Sequence, residues 1–197
     1  MSRLPAKLPP PDFKMLKPMT ELDGVISQMK KAKQDYKELE AASKELNVAS
    51  HKLTTAYKVS HKIATKERMA IPPDVCKTPS PGGPVPIPYP NIAKSQKATD
   101  SKIKIVKKAE AAHQKATLKV SKILDKQVVM MKSKLASSSG DEAGQLKGII
   151  SSSKKGKVAM KAMTTKVKVE GKSFQSHINT TRNFVEKQIK SIEKKKK

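Results

Sequence analysis

Aromatic residues, cysteine and long apolar runs are all scarce in this sequence. Aromatics make up 3% of the 197 residues, tryptophan is absent, and residues AVILMFWYC total 36%, against roughly 45–50% apolar residues in an ordinary globular domain. The sequence therefore predicts no large aromatic-rich core. The single cysteine, Cys76, excludes an intramolecular disulfide framework and a zinc ribbon built within the chain. No apolar run approaches the roughly 18 residues of a membrane span, and the opening residues MSRLPAKLPPPDF lack a signal peptide's apolar stretch.

Acidic residues and catalytic motifs are also few. The chain has 42 Lys and Arg against 17 Asp and Glu, a formal net charge of +25, which predicts a soluble protein with an anionic partner: nucleic acid, a membrane surface or an acidic protein. G-x-S-x-G, H-E-x-x-H and C-x-x-C are absent, and Gly148 is too far from Gly156-Lys157 for a phosphate loop. We therefore expect no enzymatic activity. Three arginines and few aromatics argue against base-specific nucleic-acid recognition.

Proline divides the chain into helical and irregular parts. Five prolines lie in residues 1–18, eight in 72–90 and none in 91–197. Between the proline-rich parts, apolar residues from Val25 to Ile63 recur at steps of three and four and predict one long amphipathic helix over 20–69. The same spacing predicts a second helix over 97–118, which we expect to pair with the first helix as a hairpin.

The region after residue 118 has a different pattern. Two apolar runs, Val128–Met131 and Val158–Met160, and the alternating Val167–Glu170 predict short strands separated by glycine turns. The adjacent carboxylates Asp141 and Glu142 fit a turn or a helix N-terminus better than a catalytic or cation-binding pair. The last segment has helical spacing and ends in a lysine tail.

Two motifs stand out from the rest of the sequence: the proline-rich segment from Cys76 to Ala93, and Ser138-Ser139-Gly140-Asp141-Glu142-Ala143-Gly144. They resemble motifs of the PAAR-like proteins found with bacterial contractile injection systems. The proline-rich segment 76–93 is similar to the opening motif of that family, and residues 138–144 are similar to its SSGDEAG loop. Residues 124–132, Gly156-Lys157 and 167–172 follow in the expected order. The residues that carry the resemblance are Cys76, Thr78, Pro79, Pro81, Gly82, Pro84, Pro86, Pro88, Tyr89, Pro90, Asn91, Ser139, Gly140, Asp141, Glu142, Ala143, Gly144 and Gly171.

The resemblance implies an α+β fold in which a small β-rich cone carries a long N-terminal helix and a helical insertion. The expected domains follow in chain order. They are an irregular proline-rich arm over 1–19, the helix over 20–69, the PAAR-like β domain over 70–93 and 118–183, the helical insertion over 94–117 within it, and a basic tail over 184–197.

The resemblance also implies a function without a reaction. Members of this family cap the trimeric VgrG spike of a type VI secretion apparatus or a related extracellular particle, sharpen it for envelope puncture, and carry or recruit an effector. We expect such a protein to be made and loaded in the bacterial cytoplasm, to leave with the spike, and to touch the target membrane only transiently. The helices over 20–68 and 97–118 are the expected contact for an effector, adaptor or chaperone.

Related tip proteins bind zinc through histidines and a cysteine. Here Cys76 and His177 match two such positions, while Arg182 stands where a further histidine is expected. Two ligands are too few for a closed tetrahedral site. The resemblance therefore favours structural roles for these residues and no cofactor, with a structural zinc as the alternative.

Two other functions stay open from the sequence. A sequence-independent nucleic-acid-binding protein would explain the charge, but it has no need of the proline motif or the SSGDEAG loop. A toxin fused to a tip domain is given less weight, because no catalytic residues are recognisable.

Overall fold

The computed structural model describes residues 5–10, 20–71 and 90–194, and within these ranges it contains helices and no strand. The four helices are α1 (Thr20–Lys31), α2 (Lys37–Met69), α3 (Pro90–Leu135) and α4 (Gly140–Lys194). The first turns of α1, α2 and α4 contain acidic residues and the last turn of every helix contains lysine or arginine, the arrangement that the helix dipole favours.

The predicted α+β fold with a β-rich cone is wrong, because the three segments predicted as strands are helical. Val128–Met131 lies in α3, and both Val158–Met160 and Val167–Glu170 lie in α4. A core strand would bury the whole apolar run. In this structure, however, the side chain of Val129 is 67% exposed. The buried residues instead recur with helical spacing: Val120, Ile123, Leu124, Gln127 and Met131.

The predicted single helix over 20–69 is interrupted between α1 and α2. Lys33 has φ 52°, in the left-handed region that usually requires glycine. The amide of Gln34 donates to the carbonyl of Met29 over 2.9 Å, and that of Lys33 donates to Lys30 over 3.1 Å. This is the hydrogen-bond pattern of a Schellman cap. The Lys30 ammonium lies 3.1 Å from a Glu40 carboxylate oxygen across the break.

The predicted SSGDEAG loop joins α3 to α4 and begins α4. The hydroxyls of Ser137 and Ser138 both donate to the carbonyl of Lys134, which also accepts a hydrogen bond from the Ser137 amide, and these bonds cap the end of α3. Gly140 has φ 57°, a conformation in which a side chain would be strained. Asp141 and Glu142 then lie in the first turn of α4, where negative charge is stabilising.

The chain forms two compact units. Unit 2 comprises residues 13–54 and 108–168, and its described helical segments pack closely. A Cβ added to Gly156 would lie 3.3 Å from Leu124 Cδ1, so α4 and α3 pack closely here and a larger residue would require the Leu124 side chain to shift. The Lys119 ammonium binds both carboxylate oxygens of Glu45 at 2.8 Å, which places α3 beside α2.

A buried histidine also lies in unit 2. His113 is 1% exposed, and its Nε2 has no hydrogen-bond partner. Burial lowers the pKa of His113 because the charged ring loses its hydration, which favours the neutral imidazole in the folded protein. The position of His113 on the buried face of α3 gives it a packing role.

Unit 1 comprises residues 1–12, 55–107 and 169–197. The rings of Tyr57 and Phe174 meet edge to face, with centroids 5.8 Å apart, which is a favourable arrangement for aromatic side chains. The imidazole Nε2 of His61 lies 3.0 Å from the carbonyl oxygen of Leu8, so the described arm 5–10 is held against α2. The five domain boundaries expected from the sequence stay a prediction.

Candidate functional site

Among the described residues of unit 1, the guanidinium of Arg182 on α4 forms several hydrogen bonds to two other helices. Its Nε and Nη2 donate to the two carboxylate oxygens of Glu67 over 2.8 and 3.1 Å. Nη1 donates to Asp100 over 2.7 Å, and Nη2 also donates to the carbonyl of Gln96 over 3.1 Å. The planar fork of arginine suits such paired contacts. Arg182 therefore ties α4 to both α2 and α3.

Burial makes the pair between Arg182 and Glu67 electrostatically strong. The Glu67 side chain is 7% exposed and that of Arg182 22%, so water screens their attraction weakly. Hydrogen bonding to Glu67 raises the pKa of Arg182 above its ordinary value, against the opposing effect of burial. The guanidinium thus stays charged, and its role in the described structure is to hold helices together.

A cavity of about 400 Å³ adjoins this cluster. Its apolar lining comes from Leu8, Ala64, Ile71 and Ile178, and Arg68 and His177 contribute polar atoms, among others. The Nη1 atom of Arg68 is buried without a hydrogen-bond partner. The cavity therefore combines apolar walls with an unpaired donor atom of Arg68, and Lys7 and Glu67 line it as well.

A small apolar cluster joins the residues on either side of segment 72–89. Ile71, Ile92 and Val185 are each at most 8% exposed and pack together, and Phe184 and Ile189 pack against them. Ile71 follows α2, and Ile92 lies in the first turn of α3. The end of α2 and the start of α3 are therefore held at one place in unit 1.

Most residues of the predicted proline motif lie outside the described residues. These are Cys76, Thr78, Pro79, Pro81, Gly82, Pro84, Pro86, Pro88 and Tyr89. Pro90 and Asn91 begin α3, and Gly171 lies within α4, all three in unit 1. Residues 139–144 belong to unit 2. The family-motif residues that the structure describes thus fall at helix starts and inside a helix, where we expected strands and loops.

The proposed zinc ligands stay untested. His177 is partly buried, and its Nδ1 lies 3.4 Å from the carbonyl oxygen of Ser173. Cys76 lies outside the described residues. In ranges 5–10, 20–71 and 90–194, no group of three or more His, Cys, Asp and Glu side chains is placed to hold a metal ion. Arg182, which replaces an expected histidine, is an ion-pair residue in this structure.

Sequence reasoning missed three residues of unit 1. Glu67 and Asp100 are distant in sequence from Arg182, and only the packing of three helices brings them together. A signal was present for Glu67, since it follows the apolar stripe by one helical turn from Ile63. Tyr57, next to the predicted stripe residue Ala56, is 2% exposed.

Comparison with known families gives the class of the protein. The chain matches the toxin PAAR-like domain over residues 68–123 and 119–184, which is more than half of its length, and it belongs to that family. The resemblance seen in the proline motif and the SSGDEAG loop is thereby confirmed.

A particular relative is the DNase toxin Tse7 of Pseudomonas aeruginosa. The two sequences are 35% identical over 130 residues, which cover 62% of this chain and 30% of the toxin. The chain thus matches under a third of that relative's length. No solved structure matches the chain.

This relative corrects one expectation. We expected no enzymatic activity from the lack of catalytic motifs, and that prediction is wrong, because a curated relative is named as a DNase. Short motifs describe only some catalytic sites, so their absence did not exclude a nuclease.

In the described parts of the chain, no helix is long and apolar enough to cross a membrane.

Proposed function

We propose that this chain docks a DNA-degrading toxin onto the blunt end of a trimeric VgrG-type spike. The toxin would then leave the bacterial cytoplasm with the spike when a contractile injection system fires. Membership of the toxin PAAR-like family and the similarity to a DNase toxin support this proposal.

One structural observation supports the docking role most directly. Ile71 and Ile92 are held in one apolar cluster with Val185, and residues 76–91 of the proline motif lie between them in the sequence. Both ends of the motif-bearing segment therefore start from the same place in unit 1. Because Ile71 and Ile92 are already ordered together, docking beside them would cost no ordering of these two residues.

The docking proposal is tested by capture of the spike. We expect the native protein, used as bait, to retain the VgrG-type trimer of its own cell, and the double variant Tyr89→Ala, Asn91→Ala to bind it at least about tenfold more weakly. The matched control is Lys94→Ala, which changes an exposed residue of α3 just beyond the proline motif, one turn after Asn91. Equal retention by wild type and double variant, or none by the wild type, would contradict the proposal.

We further propose that the native protein that contains this chain degrades DNA, which its similarity to a DNase toxin supports, and cleavage of supercoiled plasmid tests this. We expect the native protein to convert it to nicked and linear forms, as seen on agarose after protease treatment. A protein that only neutralises phosphates would retard the plasmid, lose it at high salt and leave both strands intact. That second outcome would favour a basic nucleic-acid-binding protein and would contradict the proposed nuclease activity.

A further inference from the structure

Unit 2 contains a groove on two of the helical segments that the sequence predicted to contact a partner. It is lined by α2 residues 44–52 and α3 residues 111–122, and its volume is about 1100 Å³. Val48 and Leu118 contribute larger apolar side chains that are 54% and 53% exposed. Much of the remaining lining is alanine: Ala49, Ala111, Ala112 and Ala116. Small side chains leave room for another element to approach two helices closely.

The polar lining of this groove is strongly basic. It contains the lysines Lys44, Lys52, Lys115, Lys119 and Lys122. The one acidic residue of the lining, Glu45, accepts hydrogen bonds from Lys119 at 2.8 Å. Within the described part of the chain, Lys52, Lys115 and Lys122 form no ion pair. The groove therefore presents unpaired positive charge beside exposed apolar surface.

We infer that this groove is the docking site for an acidic amphipathic helix of a partner protein. Its apolar face packs on Val48 and Leu118, and its carboxylates pair with the surrounding lysines. Helix-in-groove recognition depends on apolar anchors spaced along one helix face. Charge complementarity selects this occupant, since a second copy of a chain with net charge +25 would be repelled. The inference does not depend on spike docking.

The test uses a designed probe and the full chain. The probe is a fluorescent peptide of about 18 residues with leucine on one helical face and glutamate on the other. We expect saturable binding, measured by anisotropy, that weakens as salt rises. The double variant Val48→Ser, Leu118→Ser is expected to bind about tenfold more weakly, because it removes the two apolar anchors.

A matched control separates the groove from general surface effects. Val129 and Val158 are each 67% exposed and lie in unit 2 but outside the groove. The double variant Val129→Ser, Val158→Ser is expected to bind the peptide like the wild type. Circular dichroism checks that both double variants keep their helices, so that a loss of binding reports on the groove.

Two results would overturn the inference. The first is equal binding of a scrambled peptide with the same composition, which would show that lysine charge alone attracts the probe. The second is duplex DNA binding that Val48→Ser, Leu118→Ser weakens as much as peptide binding, which would make the groove a nucleic-acid site.

Discussion

Replacing Val129 by proline is expected to lower the free energy of unfolding by about 3 kcal/mol or more. Val129 lies inside α3, where proline removes a backbone hydrogen bond and clashes with the preceding turn. The loss is measured by urea unfolding followed at the helical circular dichroism band. The side chain is 67% exposed, so lost packing contributes little.

Val129→Ala separates helix from strand at the same position. Alanine has the higher helix propensity, so in α3 this exposed substitution is expected to raise stability by a few tenths of a kcal/mol. In a strand the same change would remove a β-branched side chain and lower stability. A clear loss with alanine would contradict the helical assignment of this segment and restore the predicted strand.

Replacing Arg182 by alanine is expected to cost about 3 kcal/mol of stability. The substitution leaves the carboxylate of Glu67, whose side chain is 7% exposed, without its charged partner. It also frees Asp100 and the carbonyl of Gln96. The cost is placed at the lower end for a buried pair because Arg182 is 22% exposed. The midpoint of urea unfolding at neutral pH measures it.

Three further variants test whether charge burial causes this loss. Arg182→Lys is expected to lose part of the stability, because an ammonium cannot bind both carboxylate oxygens as the guanidinium does. Adding Glu67→Gln to Arg182→Ala is expected to recover part of it, since no unpaired charge stays buried. Lys190→Ala breaks an exposed pair with Glu186 and is expected to change stability far less than Arg182→Ala, because water screens an exposed ion pair. If Arg182→Ala cost no more than Lys190→Ala, the cluster would have no structural role.

The sequence predicted the helices of the N-terminal half well because their apolar stripe is regular. Leu39, Ala42, Leu46 and Leu53 were all expected on the buried face of α2, and each is at most 1% exposed. The break after Lys31 was missed because it depends on a left-handed lysine. A glycine at position 33 would have predicted that cap, but lysine is rarely found at this position of a cap.

The strands were predicted wrongly because short apolar runs fit both helix and strand. A longer window would have favoured helix, since buried positions in α4 also recur with helical spacing, as in Met160, Met163 and Val167. The family resemblance then reinforced the wrong fold class while giving the right family. The Arg182 cluster could not be predicted from the sequence, because it joins residues 115 positions apart.

A short connection joins α3 to α4, so each contact between these two helices closes a loop through that connection. The entropy cost of closing the loop rises with the distance of the contact from the connection. Asp125 and Lys157 meet across 32 positions of sequence, whereas Asp100 and Arg182 meet across 82. The logarithmic dependence of loop closure on length makes the second contact roughly 0.8 kcal/mol more costly in chain entropy when each loop closes from the open chain. When the first contact already exists, the loop left to close is about 50 residues long, and about half of that difference disappears. The entropy loss is therefore smallest when contacts between α3 and α4 form first near residues 136–139 and then progressively farther away. Earlier contacts lower the closure cost most for the contacts near Arg182.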